Sequence, residues 1–424
     1  MIADVQQLKT IFEKIYGEKE SVIERQMKRY KRLYKHFEHL FNSRKDIHIF
    51  STPGRTEIGG NHTDHNHGRV LAASVDLDSI AAAADNQSNC VNFYSEGYDR
   101  PFVVDLAHLN IKSADKGSTT AIIRGIAARF KELNHLIGGF NAYCTSDVLP
   151  GSGLSSSASI EVLIGTVFNH LFNHGRISPQ DIASIGQYAE NNYFGKPCGL
   201  MDQMVCAVGG IVSIDFEDPQ SPIVKKVNFD FSTENYKLLV VDTGESHTEL
   251  TEDYAKIPEE MKSVANSFQV EFCRELSFDK FFAGIKDLRS KVGDRAILRV
   301  FHFFQDNERV LRQINALKKG DFQNFLSFVN QSGNSSFKWL QNVHSGKNPR
   351  DQGISLALAI TEKYISDINA GATRVHGGGF AGTIQTFLPD KAVSGYVKLI
   401  ENVFGKGKAL VLNIRPVGTL YVNQ

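Results

Sequence analysis

Four short stretches carry most of the side chains able to do chemistry. One is Pro150-Gly-Ser-Gly-Leu-Ser-Ser-Ser157, which follows a strand-like run, Phe140 to Ser146, and opens an apolar helical pattern. Strand, glycine-rich turn and helix in that order make a cradle for a phosphate. Gly151 and Gly153 let backbone N–H groups turn toward a ligand without Cβ obstruction, and a helix opening at Ser155 to Ser157 leaves its first donors unpaired at a positive dipole end. The serine hydroxyls can cap those donors or reach a magnesium ion. No lysine follows, so the stretch is not a P-loop, and Ser156 stands where a dinucleotide fingerprint needs its third glycine.

The second stretch, Arg55 to His67, holds three histidines, an aspartate and an arginine among glycines. It supports two readings: a metal site built from His62, Asp64, His65 and His67, or a polyol-binding loop in which Asp and His exchange hydrogen bonds with sugar hydroxyls. The third pairs Glu190 with Asp202 across a turn containing Gly195, Cys198 and Gly199, a spacing that suits a magnesium ligand and a base acting on a hydroxyl. The fourth, Gly377-Gly-Gly-Phe-Ala-Gly382, has too many glycines for a regular strand and implies a close backbone approach to a ligand or a facing strand.

The elements that must position these stretches are legible in outline. Helices are expected over Asp4 to Phe41, where the basic run Arg25 to Lys35 reads as a solvated face. A strand follows at Ile47 to Thr52, a strand pair at Val70 to Ala84, and further β signal at Asn89 to Tyr94. Helices are expected at Thr119 to Leu133, from the serine loop to His174, at Ser178 to Tyr193 with Pro179 in its first turn, and again from Leu200. Strands are expected at Gly210 to Phe216, Tyr236 to Asp242, Arg374 to Phe387 and Leu410 to Val422, with a mainly helical region from Thr248 to Asn330. The polar stretch Glu217 to Ser221 is the expected domain boundary, dividing the chain into 1–217 and 218–424.

Composition bounds the function. At 424 residues the chain exceeds one ordinary core, and 42% hydrophobic with 22% charged residues is a globular composition. Lys plus Arg equals Asp plus Glu at 47 each, which argues against nucleic-acid partners and for a small molecule. Five scattered cysteines without a CxxC pair fit a reducing compartment, and without a signal-peptide core or a long apolar stretch the expectation is a cytoplasmic protein with no membrane partner.

In order, PGRTEIGGNHTDHNHG, PGSGLSSSA, CGLMDQ and HGGGFAG resemble the motifs of the galactokinase branch of the GHMP small-molecule kinases, over about Ile47 to Val422. The resemblance implies a two-domain α+β fold: an N-terminal mixed-sheet domain and a C-terminal α+β domain, with the active site in the cleft between them. It implies an ATP-dependent sugar 1-kinase that uses Mg2+ and forms α-D-galactose 1-phosphate, with another hexose, an amino sugar or a sensing role as alternatives. By the motif match, Gly151, Ser152, Gly153, Leu154, Ser155, Ser156 and Ser157 wrap the ATP phosphates, and Ser157 and Glu190 hold the metal. Asp202 matches the catalytic aspartate, as base or electrostatic positioner, and Arg55 its arginine partner. Asn61, His62, Asp64, Gly199 and Tyr254 match sugar contacts, although the family usually carries glutamate at the Asn61 position and tyrosine at His65. The adenine site is expected near Val91 to Asp105, with no residue assigned.

Overall fold

The computed structural model describes residues 5–42, 46–148, 151–244 and 250–422. Pro150, the first residue of the serine stretch, and Asp4 and Thr248, two expected helix starts, lie outside the described residues. Two sheets organise the rest. Among the described residues the first has eight strands and the second four.

The spine of the first sheet is the antiparallel pair His48–Gly59 and Arg69–Asp85. Arg69–Asp85 is one continuous strand rather than the expected pair. Its sequence holds no Gly, Pro or Asn to turn on. Its two halves take different neighbours, Ile211–Asp215 against residues 69–73 and Phe140–Ser146 against residues 79–85. Cys90–Ser95 then adds parallel to Phe140–Ser146, and Phe102–Asp105 closes that edge. The polar stretch Glu217 to Ser221 is the turn of a hairpin, because Ile223–Val227 pairs back onto Ile211–Asp215 within the same sheet. The chain leaves this sheet only after Val227, and Leu420–Tyr421 returns to pair with Phe50 and Ser51. Sheet membership therefore does not break at 217/218.

The second sheet is fully antiparallel, in the order Ala409–Leu412, Tyr236–Asp242, Thr383–Pro389, Ala372–His376. Helices Thr119–Glu132, Ser156–Asn173, Pro179–Ala189 and Met201–Val208 bury Ile123, Phe130, Val162, Phe168 and Met204 against the first sheet. Helices Val5–Tyr16 and Glu20–Phe41 bury Phe12, Leu33 and Phe37 against Ile49, Ile80 and Tyr143. A third apolar cluster joins the sheets through Ile58, Leu71, Val240 and Phe387, so strands from both sheets share one core next to the strand that carries Arg55. No described helix is long and apolar enough to cross a membrane.

Candidate active site

Two helix starts and one strand converge on Asp202. Arg55 sits on His48–Gly59, at a register shift between Pro53 and Arg55 that re-aims the strand. Its backbone N–H donates to Leu154 O and its Nη1 to Gly153 O, pinning the serine loop to the strand. Its Nε and Nη2 reach Asp202 Oδ1 and Oδ2 at 2.6 and 2.7 Å, a bidentate fork. Asp202 lies in the first turn of Met201–Val208. Burial raises its pKa, but the Arg55 charge and hydrogen bonds and the Ser155 hydroxyl outweigh this and hold the carboxyl below its ordinary range. It is thus ionised at neutral pH.

The serine loop enters its helix by an unusual route. Ser155, the residue before Ser156–Asn173, has φ +64° and makes no side-chain cap. That left-handed backbone costs a non-glycine residue about 1–2 kcal/mol, and here it accompanies a hydroxyl that donates to Asp202 Oδ2 instead of capping the helix. The helix N-terminus is left without a side-chain cap from Ser155, as an anion site requires. Gly153 has φ +72°, and a Cβ there would lie 2.3 Å from Thr383 Oγ1, so glycine is needed where the loop meets the second sheet.

Glu190 begins a single π-helical turn, Glu190–Phe194, that widens the end of Pro179–Ala189. Such turns are rare and often mark functional sites. Its buried carboxylate faces Lys196 Nζ at 3.3 Å and accepts from Gln203 Nε2 at 2.9 Å. The same Gln203 nitrogen donates to Glu161 Oε2 at 2.9 Å, while Glu161 Oε1 and Gln203 Oε1 are buried without a hydrogen-bond partner. Burial and the Glu190 charge raise the Glu161 pKa well above the usual carboxylate range. Sequence reasoning missed Glu161, Gln203 and Lys196. The signals were present, since Glu161 falls four residues after Ser157 on one helix face and Gln203 follows Asp202 directly.

The Arg55 to His67 stretch ends the strand His48–Gly59 and then turns through a tight loop, Gly60 to Gly68, whose histidines diverge. His62 Nε2 donates to Gly378 O at 2.9 Å, and His67 stacks on Phe272 at a centroid distance of 3.6 Å. Burial, followed by His65, pulls the His62 pKa down to about 3, which keeps the ring neutral. Among the described residues no group of three His, Cys, Asp or Glu side chains is arranged to hold a metal. Asp64 lies against Gly199, where a Cβ would sit 2.3 Å from Asp64 Oδ2, so these two expected sugar contacts are brought together on the Asp202 side.

Asn61 behaves differently from the expectation of a sugar contact. It is fully buried, its Nδ2 donates to Glu57 Oε1 and Gly377 O, and its Oδ1 accepts from Asn342 Nδ2 and Ser336 Oγ. That is the full capacity of an asparagine side chain. Nothing in the local sequence pointed to Asn342, which lies 281 residues away.

Comparison with known families gives this geometry a context. The family described as GHMP kinases N terminal domain matches residues 121–210, a span holding the serine loop, Glu190 and Asp202. The galactokinase galactose-binding signature matches residues 35–85, which hold Arg55, Asn61, His62 and Asp64. The chain carries a GHMP kinase N-terminal domain and a galactokinase galactose-binding signature. Among solved structures it is similar to Lactococcus lactis galactokinase complexed with galactose, at 24% identity and a TM-score of 0.78, over 92% of this chain and 99% of that one. Methanococcus jannaschii mevalonate kinase shares the GHMP fold at 15% identity and a TM-score of 0.62, over 88% and 99% of the two chains. Streptococcus pneumoniae phosphomevalonate kinase, in complex with phosphomevalonate and AMPPNP, does so at 12% and 0.57, over 88% and 99%. The chain is accordingly a sugar-kinase-type phosphotransferase.

Proposed function

We propose that this galactokinase-like enzyme transfers the γ-phosphoryl group of ATP to the anomeric hydroxyl of galactose. The observation that carries the reading is the Arg55–Asp202 fork, set between the uncapped serine loop and the Asp64 loop. ATP is supported by the anion-accepting helix start, by the family, and by the AMPPNP complex of a relative with this fold. Galactose is supported by the matched galactose-binding signature and by the galactose complex of the L. lactis relative.

In this reading, the N–H groups of the serine loop hold the phosphates and Asp64 with Gly199 orients the sugar. Ionised Asp202 positions the anomeric hydroxyl and accepts its proton as the new O–P bond forms and the bond from the γ-phosphorus to the β,γ-bridging oxygen breaks, releasing ADP. Arg55 keeps Asp202 charged and offsets negative charge on the moving phosphoryl group. Glu190 and Ser157 are hard oxygen donors that fit Mg2+, and the orphaned buried oxygens of Glu161 and Gln203 beside Glu190 agree with a polar group belonging there. Lys196, whose side chain is largely exposed, is paired with the same Glu190 carboxylate that would face the metal. A bound magnesium ion would neutralise phosphate charge. Because Asn61 is withheld from the ligand, a related hexose or amino sugar is the second reading. The test is ADP release from ATP and Mg2+ with galactose, 2-deoxygalactose, N-acetylgalactosamine and 6-deoxygalactose. Turnover is expected with galactose, and no turnover with any of the four would overturn the proposal.

A further inference from the structure

Three consecutive glycine carbonyls are gripped from the sugar side of the site. Gly377 O accepts from Asn61 Nδ2 at 2.7 Å, Gly378 O from His62 Nε2 at 2.9 Å and Asn342 Nδ2 at 3.1 Å, and Gly379 O from the Tyr254 hydroxyl at 2.9 Å. Asn61 is the hub. Its N–H donates to Asp306 Oδ2 at 3.0 Å, and its carbonyl meets His302 Nε2 at 2.8 Å. Its side chain binds Glu57, which is in turn ion-paired with Arg374 at 2.8 Å. These partners come from His48–Gly59 in the first sheet, Ala372–His376 in the second, helix Asp294–Lys318 and the segment after the π turn Ser336–Leu340.

We propose that Asn61 is a positioning residue, the hub of a clamp with His62, Asn342 and Tyr254 that fixes the Gly377–Gly379 backbone against the sugar loop, and that it makes no sugar contact. The proposal rests on the sugar-kinase reading above. Three residues matched to sugar contacts by motif thus spend side-chain donors on the protein itself. Direct recognition of the sugar in this part of the chain passes to Asp64 and Gly199, whose approach to each other the clamp holds in register with the glycine loop. Asn61 uses every donor and acceptor of its side chain in this buried network, which fixes one arrangement, because any shift of Asn61 leaves a buried donor or acceptor unpaired.

The test substitutes Asn61→Asp, which keeps size but removes both donors, with Asn342→Asp as a second variant on the other side of the clamp. Hydrogen exchange of residues 376–382 is expected to quicken in both variants. The kcat/KM is expected to fall by about 10- to 100-fold, through sugar KM and kcat, with the ATP KM within about twofold of the parent. The loss should be the same factor for galactose and for each singly deoxygenated galactose. A deoxygalactose on which Asn61→Asp costs nothing would identify a direct sugar contact and overturn the proposal, as would unchanged exchange over 376–382. If the parent enzyme turns over none of these sugars, the functional reading fails separately, and the exchange measurement alone decides the clamp.

Discussion

Arg55 and Asp202 set each other's state. A carboxylate held below its usual range is a weak resting base, so it suits a loose phosphoryl transfer in which the hydroxyl proton leaves late. Asp202→Asn keeps the shape and removes the charge. It is expected to lower kcat by about 10² to 10⁴, equivalent to about 3 to 5 kcal/mol of barrier, measured by ADP release at saturating sugar. Arg55→Met tests the electrostatic half of the pair. Burial raises the Asp202 pKa and Arg55 is the main opposing influence, so removing it should shift the carboxyl upward. The acid limb of kcat/KM then moves to higher pH in Arg55→Met than in the parent, where Asp202 stays ionised to below the ordinary carboxylate range. Coincident acid limbs would show that Asp202 ionisation is not what the limb reports.

The loop holding Asn61 and Asp64 is supported by an element that the sequence left unassigned to the site, helix Asp294–Lys318. Its Asp306 is fully buried and accepts from the N–H groups of Gly60 and Asn61 and from Arg309. Burial raises the Asp306 pKa, yet His302, Arg309 and Arg374 hold it at about 2, against 3.8 for a free aspartate. A depressed carboxylate stabilises the fold above the unfolded pKa and loses that contribution as pH falls through the folded one. The stability advantage of the parent over Asp306→Asn should therefore shrink by about 2 kcal/mol between pH 6 and pH 2, read by urea denaturation. A gap independent of pH would contradict the assignment. Local signals were enough to locate the helices of the candidate site, since Ser178, Pro179 and the apolar periodicity act within one turn, and to start its strand, which runs past the expected Thr52 to Gly59 and so takes in Arg55. They failed where the deciding partner was remote. Arg69–Asp85 is one strand because two other strands extend it, and Glu217 to Ser221 reads as a linker because a hairpin turn and a boundary share the same polar composition. Asn61 looked like a ligand contact because its buried partners, Ser336, Asn342 and Gly377, lie 275 to 316 residues downstream.

At the scale of the whole chain, the N-terminal helices are part of the kinase body, because a buried charge cluster ties both ends to its centre. Asp78, in the middle of Arg69–Asp85, pairs with Arg29 at 2.5 Å from the N-terminal side and Arg415 at 3.1 Å from the C-terminal side. It also accepts from the Tyr16 hydroxyl at 2.6 Å and the Ser51 hydroxyl at 2.5 Å. Burial raises the Asp78 pKa, and the two arginines overcome it and hold the carboxyl below its usual range. Asp78 is therefore the one fully buried carboxylate shared by two guanidinium groups that are almost wholly out of water, with the part-exposed Asp147 at 3.3 Å as a second partner of Arg29. Removing a single member of a buried charge group leaves an uncompensated charge, which costs about 3–5 kcal/mol. Asp78→Asn strands Arg415 and leaves Arg29 only the part-exposed Asp147, whereas Arg29→Met leaves Asp78 paired with Arg415. The expected order of urea midpoints is parent, then Arg29→Met, then Asp78→Asn. Because Tyr16 and Arg29 tie the two N-terminal helices to Asp78, Asp78→Asn should also speed proteolysis between Phe41 and His48 under native conditions, before the rest of the chain is cut. Cleavage there at the parent's rate, with a lowered midpoint, would mean that the apolar contacts of Phe12, Leu33 and Phe37 alone dock the helices and that the charge cluster stabilises only the sheet.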